Sequence, residues 1–138
     1  MRIVKKTIEL QGTVDMDVTD VTDEVHHFLQ ESGIHQGMLL VFTPGATAGV
    51  TTIEYERGAV QDLKRAMEHL APRDAEYQHN LAWGDGNGYS HVRSALLGPS
   101  LAVPVQDGTP ILGTWQQIVV CDFDNRPRRR QVFLQMMG

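Results

Sequence analysis

The chain has 138 residues, 41% apolar and 21% charged, enough aliphatic content for one buried core and too much for a disordered polymer. Its net charge of -5 argues against a general nucleic-acid-binding surface, and no apolar run approaches the ~18 residues needed to cross a bilayer. A single cysteine excludes an internal disulfide and a thiolate-rich zinc site, so the expectation is one cytoplasmic domain over residues 1–138.

Residues 2–10, RIVKKTIEL, mix charged and β-branched residues in rough alternation, as an opening strand with one wet face does. Asp20 can then cap a helix whose Val21, Val25, Phe28 and Leu29 share one face, with Gly33 as its stop. His26 and His27 fall on this helix as surface or packing residues. Met38–Phe42 reads as a short buried strand running into Thr43-Pro44-Gly45, after which residues 49–53 look extended again.

From about Gly58 to Leu70, the spacing of Val60, Leu63, Met67 and Leu70 predicts a second amphipathic helix, ended by Pro72. Residues 79–91, HNLAWGDGNGYSH, read as a glycine-rich loop, and Ser90 can cap a short helix through Leu97. The remainder predicts an antiparallel meander of three strands: SLAVPVQ, then ILGTWQQIVVCDF after the Asp107-Gly108 turn, then RRRQVFLQMM after Asn125-Arg126-Pro127. Val132, Leu134 and Met136 would face the core, and Cys121, among Val119, Val120 and Phe123, reads as a buried thiol. The fold class is α+β, dominated by antiparallel sheet, with two to three helices.

The loop 79–91 offers the most chemistry. Two imidazoles and the Asp85 carboxylate suit a divalent metal, zinc or magnesium, and an anion could sit beside His91 at a helix start. A structural turn remains open beside both, because the spacing of the histidines is no specific zinc signature. The loop is neither a Walker A phosphate cradle nor a dinucleotide fingerprint. Glu54 and Glu56 can serve as a base if the fold brings either to the histidines. Arg126, Arg128, Arg129 and Arg130 can bind a small phosphorylated molecule or a neighbouring subunit, or form a solvated turn.

Together, FTPGATAGVTTIE (42–54), YQH (77–79), SHVRSALLGPS (90–100), GTWQQIVVCDFD (113–124) and PRRR (127–130) resemble the YjbQ family of secondary thiamine-phosphate synthase-like proteins, in order and over almost the whole chain. The resemblance implies a compact α+β fold, assembly as a homotrimer, and a site of histidines and acidic residues. It also implies an activity, a weak thiamine-phosphate synthase reaction that joins a pyrimidine diphosphate to a thiazole phosphate and releases pyrophosphate.

Carried over by position, the resemblance makes His91 and Glu54 the catalytic candidates and His79 and His91 candidate metal ligands, with Asp85, water or another subunit's residue to fill a third place. Arg129, Arg130, Trp115, Gln116 and Thr47 become candidates to bind the phosphorylated substrate, with Trp115 either stacking on its ring or packing in the sheet. One departure stands out: Gly45-Ala46 occupy the place where the family usually has His-Thr. The other function class is a non-catalytic trimer that binds a metal or a phosphorylated small molecule.

Overall fold

The computed structural model describes residues 1–138 as eight strands and four helices. The strands form two antiparallel sheets. Strand β1 (Ile3–Thr13) pairs with β8 (Arg128–Met137), β8 with β3 (Gly37–Phe42), β3 with β5 (Ser100–Gln106), and β5 with the two-residue β6 (Thr109–Pro110). In the smaller sheet β7 (Gln117–Asp122) lies between β2 (Val18–Asp20) and β4 (Ala48–Ile53).

The expected meander is therefore wrong in its pairing. Its three segments do form strands, but β5 lies against β3, β7 joins the other sheet, and β8 sits between β1 and β3. The middle segment is also shorter than expected. Residues 111–116 form a loop and only 117–122 are strand, so Trp115 is 71% exposed and is no packed sheet residue.

Helix α1 (Thr22–Ser32) starts where the Asp20 carboxylate accepts the Thr22 N–H, and stops at Gly33, whose φ of 67° a side chain would disfavour. Its Val21-Val25-Phe28-Leu29 face closes the main core against Leu39, Val41, Val50, Val103, Ile118 and Leu134. Burying each such side chain contributes about 1.5–3 kcal/mol. Helix α2 (Arg57–Leu70) covers the outer face of the smaller sheet, where Met67 meets Val18, Val119, Cys121 and Phe123. Strand β7 is thus buried on both faces, which explains its unbroken IVVC run.

A fourth helix, α3 (Gln78–Trp83), lies in the segment expected to be a loop, giving four helices in place of two to three. The expected helix ending at Leu97 is α4 (Gly88–Leu97), begun ahead of Ser90, and only residues 84–87 join α3 to it. Asn87, not Ser90, occupies the cap position of α4. Ser90 lies inside the first turn, its hydroxyl donating to the Asn87 backbone and side-chain oxygens at 2.7 Å. No helix is long and apolar enough to cross a membrane.

Candidate functional site

The two histidines are brought together by the close approach of α3 to the start of α4. A Cβ on Gly88 would lie 2.4 Å from the Tyr77 Cβ, so only glycine permits this approach. The Gly88 N–H then donates to the Asn80 side-chain oxygen at 2.8 Å. As a result the His79 and His91 ring centroids are 4.3 Å apart, tilted by 42°, and Trp83 stacks near His79 at 6.4 Å.

His79 Nδ1 is 3.3 Å from Asp85 Oδ1 but off the hydrogen-bond line, so this buried nitrogen has no bonded partner. Asp85 instead accepts the Asn87 N–H at 3.1 Å. No three His, Cys, Asp or Glu side chains gather closely enough to hold a metal ion. The imidazoles meet ring against ring, and His79, His91 and Asp85 do not form a metal cage within one chain.

The connection between β7 and β8, residues 123–127, docks on this loop through Asn125, whose N–H donates to Asn87 Oδ1 at 3.2 Å and whose side-chain amide donates to the Asp85 carbonyl at 2.9 Å. The adjacent arginines have different fates. Arg126 and Arg129 are exposed and unpaired among the ion pairs, Arg128 pairs with Asp124 at 3.0 Å, and Arg130 is buried. Arg130 donates to both Asp122 oxygens, at 2.8 and 3.0 Å, and to the Thr47 hydroxyl.

Thr47 in turn donates to Asp124 at 2.9 Å. Burial pushes the Asp124 carboxyl up, but hydrogen bonds from the Arg126 N–H, Thr47 and Arg128 outweigh it and hold the group below the usual carboxylate range. Thr47 and Arg130 are thus brought together, whereas Arg129 and Arg130 point to opposite faces of β8. Gly45 lies beside them at φ 135°, and a Cβ there would come within 3.1 Å of Arg130 Nη1. The backbone at this position suits glycine, so the family's histidine would need a different local path.

Glu54 and Trp115 meet elsewhere, in a cleft of about 510 Å³ at the end of β4 that no residue of the histidine loop lines. Gln116 closes the loop that carries Trp115, accepting the Gly113 N–H and donating to the Thr52 hydroxyl at 2.9 Å. The candidate residues therefore fall into three places: the histidine pair with Asp85, the Thr47–Arg130 network, and the Glu54–Trp115 cleft.

A sequence model described as UPF0047 protein YjbQ-like matches residues 6–138. The chain belongs to the YjbQ family. The UPF0047 protein YugU of Bacillus subtilis is 38% identical over 134 residues, covering 96% of this chain and 98% of the relative. The UPF0047 protein Rv2556c of Mycobacterium tuberculosis is 41% identical over 121 residues, 87% of this chain and 88% of that protein. Among solved structures, a YbjQ-like protein of unknown function from Sulfolobus solfataricus superposes with a TM-score of 0.94 at 27% identity, covering 99% and 98% of the two chains. A YjbQ/UPF0047 family protein from Clostridium acetobutylicum gives 0.87 at 32% identity, covering 96% and 99%.

In this YjbQ-family chain the sequence reading missed a second polar network behind α4. Arg93, 2% exposed, donates to the Ala71 carbonyl at 3.0 Å and Asp15 at 3.2 Å, pairs with Glu68, and lies 4.8 Å from the Tyr89 ring centre. Burial outweighs the neighbouring Arg73 and Arg93 and leaves the Asp15 carboxyl above its usual range. This network ties α4, and with it His91, to α2 and the β1–β2 turn. Arg93 lay inside the SHVRS motif, but nothing in its spacing named its partners. Asn87 was more legible, since Asn-Gly before an apolar run is a helix-start signal.

Proposed function

We propose that this YjbQ-family protein binds a small phosphorylated molecule at the His79–His91 face and the basic β7–β8 connection beside it. One observation carries the reading: the two Asn125 hydrogen bonds hold the β7–β8 connection that bears Arg126 against the loop joining the two histidine helices. Imidazole N–H groups and an unpaired guanidinium are both donors to phosphate oxygens, and Arg126 is committed to no carboxylate. No metal takes part in this reading.

Isothermal titration with inorganic pyrophosphate tests it. His91→Ala and Arg126→Ala should each weaken binding about 5- to 10-fold, the loss of one charge-assisted donor pair. Equal affinity in both variants and the native protein would remove the reading.

A second reading is the transfer reaction implied by the family, catalysed by a homotrimer. Glu54 and Trp115 sharing one cleft favours it, since the exposed indole face suits a flat heteroaromatic ring with a carboxylate alongside. Exposed Leu81, Trp83, Val92 and Leu96 on α3 and α4 would be the surface covered by a neighbouring copy. Incubation with the pyrimidine diphosphate and the thiazole phosphate should release pyrophosphate, and Glu54→Gln should slow it at least ~100-fold. Light scattering should give three times the 15.4 kDa chain mass. Turnover unchanged by Glu54→Gln, or a monomer mass, would set this reading aside.

A further inference from the structure

The Glu54–Trp115 cleft carries more negative charge than either reading uses. Asp20, Glu54 and Glu56 line it together with Tyr55 and Trp115, and none of its seven lining residues is cationic. Most of its polar groups are already committed. One Asp20 oxygen accepts the Thr22 N–H and hydroxyl, and the other accepts the Gln117 side-chain amide at 3.1 Å.

Glu56 caps α2 by accepting the N–H groups of Gly58 and Ala59, which keep its carboxyl below the usual range. The Tyr55 hydroxyl donates to the Val18 carbonyl at 3.0 Å and fixes its ring as a wall. The Gln116 clasp pins the Trp115 loop to β4. Beside the Thr114 hydroxyl, two lining groups have no hydrogen-bond partner in the chain, the Glu54 carboxylate and the Trp115 indole, which is 71% exposed.

We propose that this cleft binds a small organic cation, held between the Trp115 ring face and the Glu54 carboxylate. An anion would meet three fixed negative charges there with no guanidinium or ammonium to offset them. A neutral ring could cover the indole but would leave the exposed Glu54 carboxylate without a counter-charge. A cation satisfies both groups, by attraction to the ring quadrupole and by ion pairing. The volume of about 510 Å³ falls within the ~300–1,000 Å³ of small-molecule sites. The walls are held by hydrogen bonds within the chain, so little ordering is needed when a ligand enters. The inference does not depend on the phosphate reading, because the two sites share no residue, and it requires no turnover.

The test uses the full chain carrying Trp83→Phe, which leaves Trp115 as its single indole. Tetramethylammonium and its uncharged counterpart tert-butanol are titrated at constant ionic strength while Trp115 fluorescence is followed. Tetramethylammonium should give a saturable change, and Glu54→Gln should weaken it about 3- to 10-fold. Tert-butanol should give no saturation in the same range. No saturable response to tetramethylammonium, an equal response to tert-butanol, or an affinity unmoved by Glu54→Gln would overturn the proposal. Loss of pyrophosphate binding with tetramethylammonium binding intact would sink only the phosphate reading.

Discussion

Arg130 and Arg129 are adjacent in sequence and have opposite fates, because successive side chains on β8 point to opposite faces of the sheet. Arg129 is solvated, while Arg130 neutralises Asp122, whose side chain is 2% exposed. Removing one member of a buried pair leaves the other charge without compensation. Arg130→Met should therefore cost about 3–5 kcal/mol in urea denaturation, against less than ~0.5 kcal/mol for Arg129→Met at an exposed position. Equal small losses for both would show that Arg130 is not structural. The four arginines were legible in sequence as a basic cluster. Which of them a ligand could reach depends on the strand's pleat and on carboxylates at positions 122 and 124, which no local pattern in 126–130 contains.

Local patterns marked most elements, but not their partners. The one-face spacing of Val21, Val25, Phe28 and Leu29 and the alternation of Val132, Leu134 and Met136 both appear in the structure as buried faces. The meander failed because a strand's own residues state which face is buried and say little about which edge it pairs with. The loop at 79–91 failed for a related reason: α3 spans only six residues, has no buried residue, and leaves Leu81 and Trp83 exposed, so no amphipathic stripe marks it. The start of α4 is tied to the β7–β8 connection by Asn87, whose side-chain oxygen accepts from Ser90 and from Asn125. Asn87→Ala should cost about 1 kcal/mol, since it strips the acceptor from the Asn125 N–H, while the Ser90 hydroxyl keeps the backbone oxygen of residue 87. It should also weaken pyrophosphate binding by loosening the histidine loop from the β7–β8 connection. A thermal melt indistinguishable from that of the native chain would show that the cap carries no stability.

At the scale of the whole molecule, two cores meet across β7, and Cys121 lies in the smaller one at 0% exposure. Burial pushes its thiol from 9.0 up to about 12, leaving about a thousandfold less thiolate at neutral pH. Native protein should therefore react with a thiol reagent only through opening, and denaturant should abolish the protection; rapid labelling of the folded chain would contradict this core. The sequence by itself determined the class of fold, the buried faces of α1 and β8, the buried cysteine and family membership, because periodicity, helix stops and contiguous motifs are local properties of the chain. Tertiary structure alone decided that His79 and His91 touch, that Arg130 is enclosed by Asp122 and Thr47, and that Glu54 and Trp115 share a cleft apart from the histidines. Each of these depends on strand pairing and close helix approach between residues distant in sequence, which are set by the packing of the whole chain.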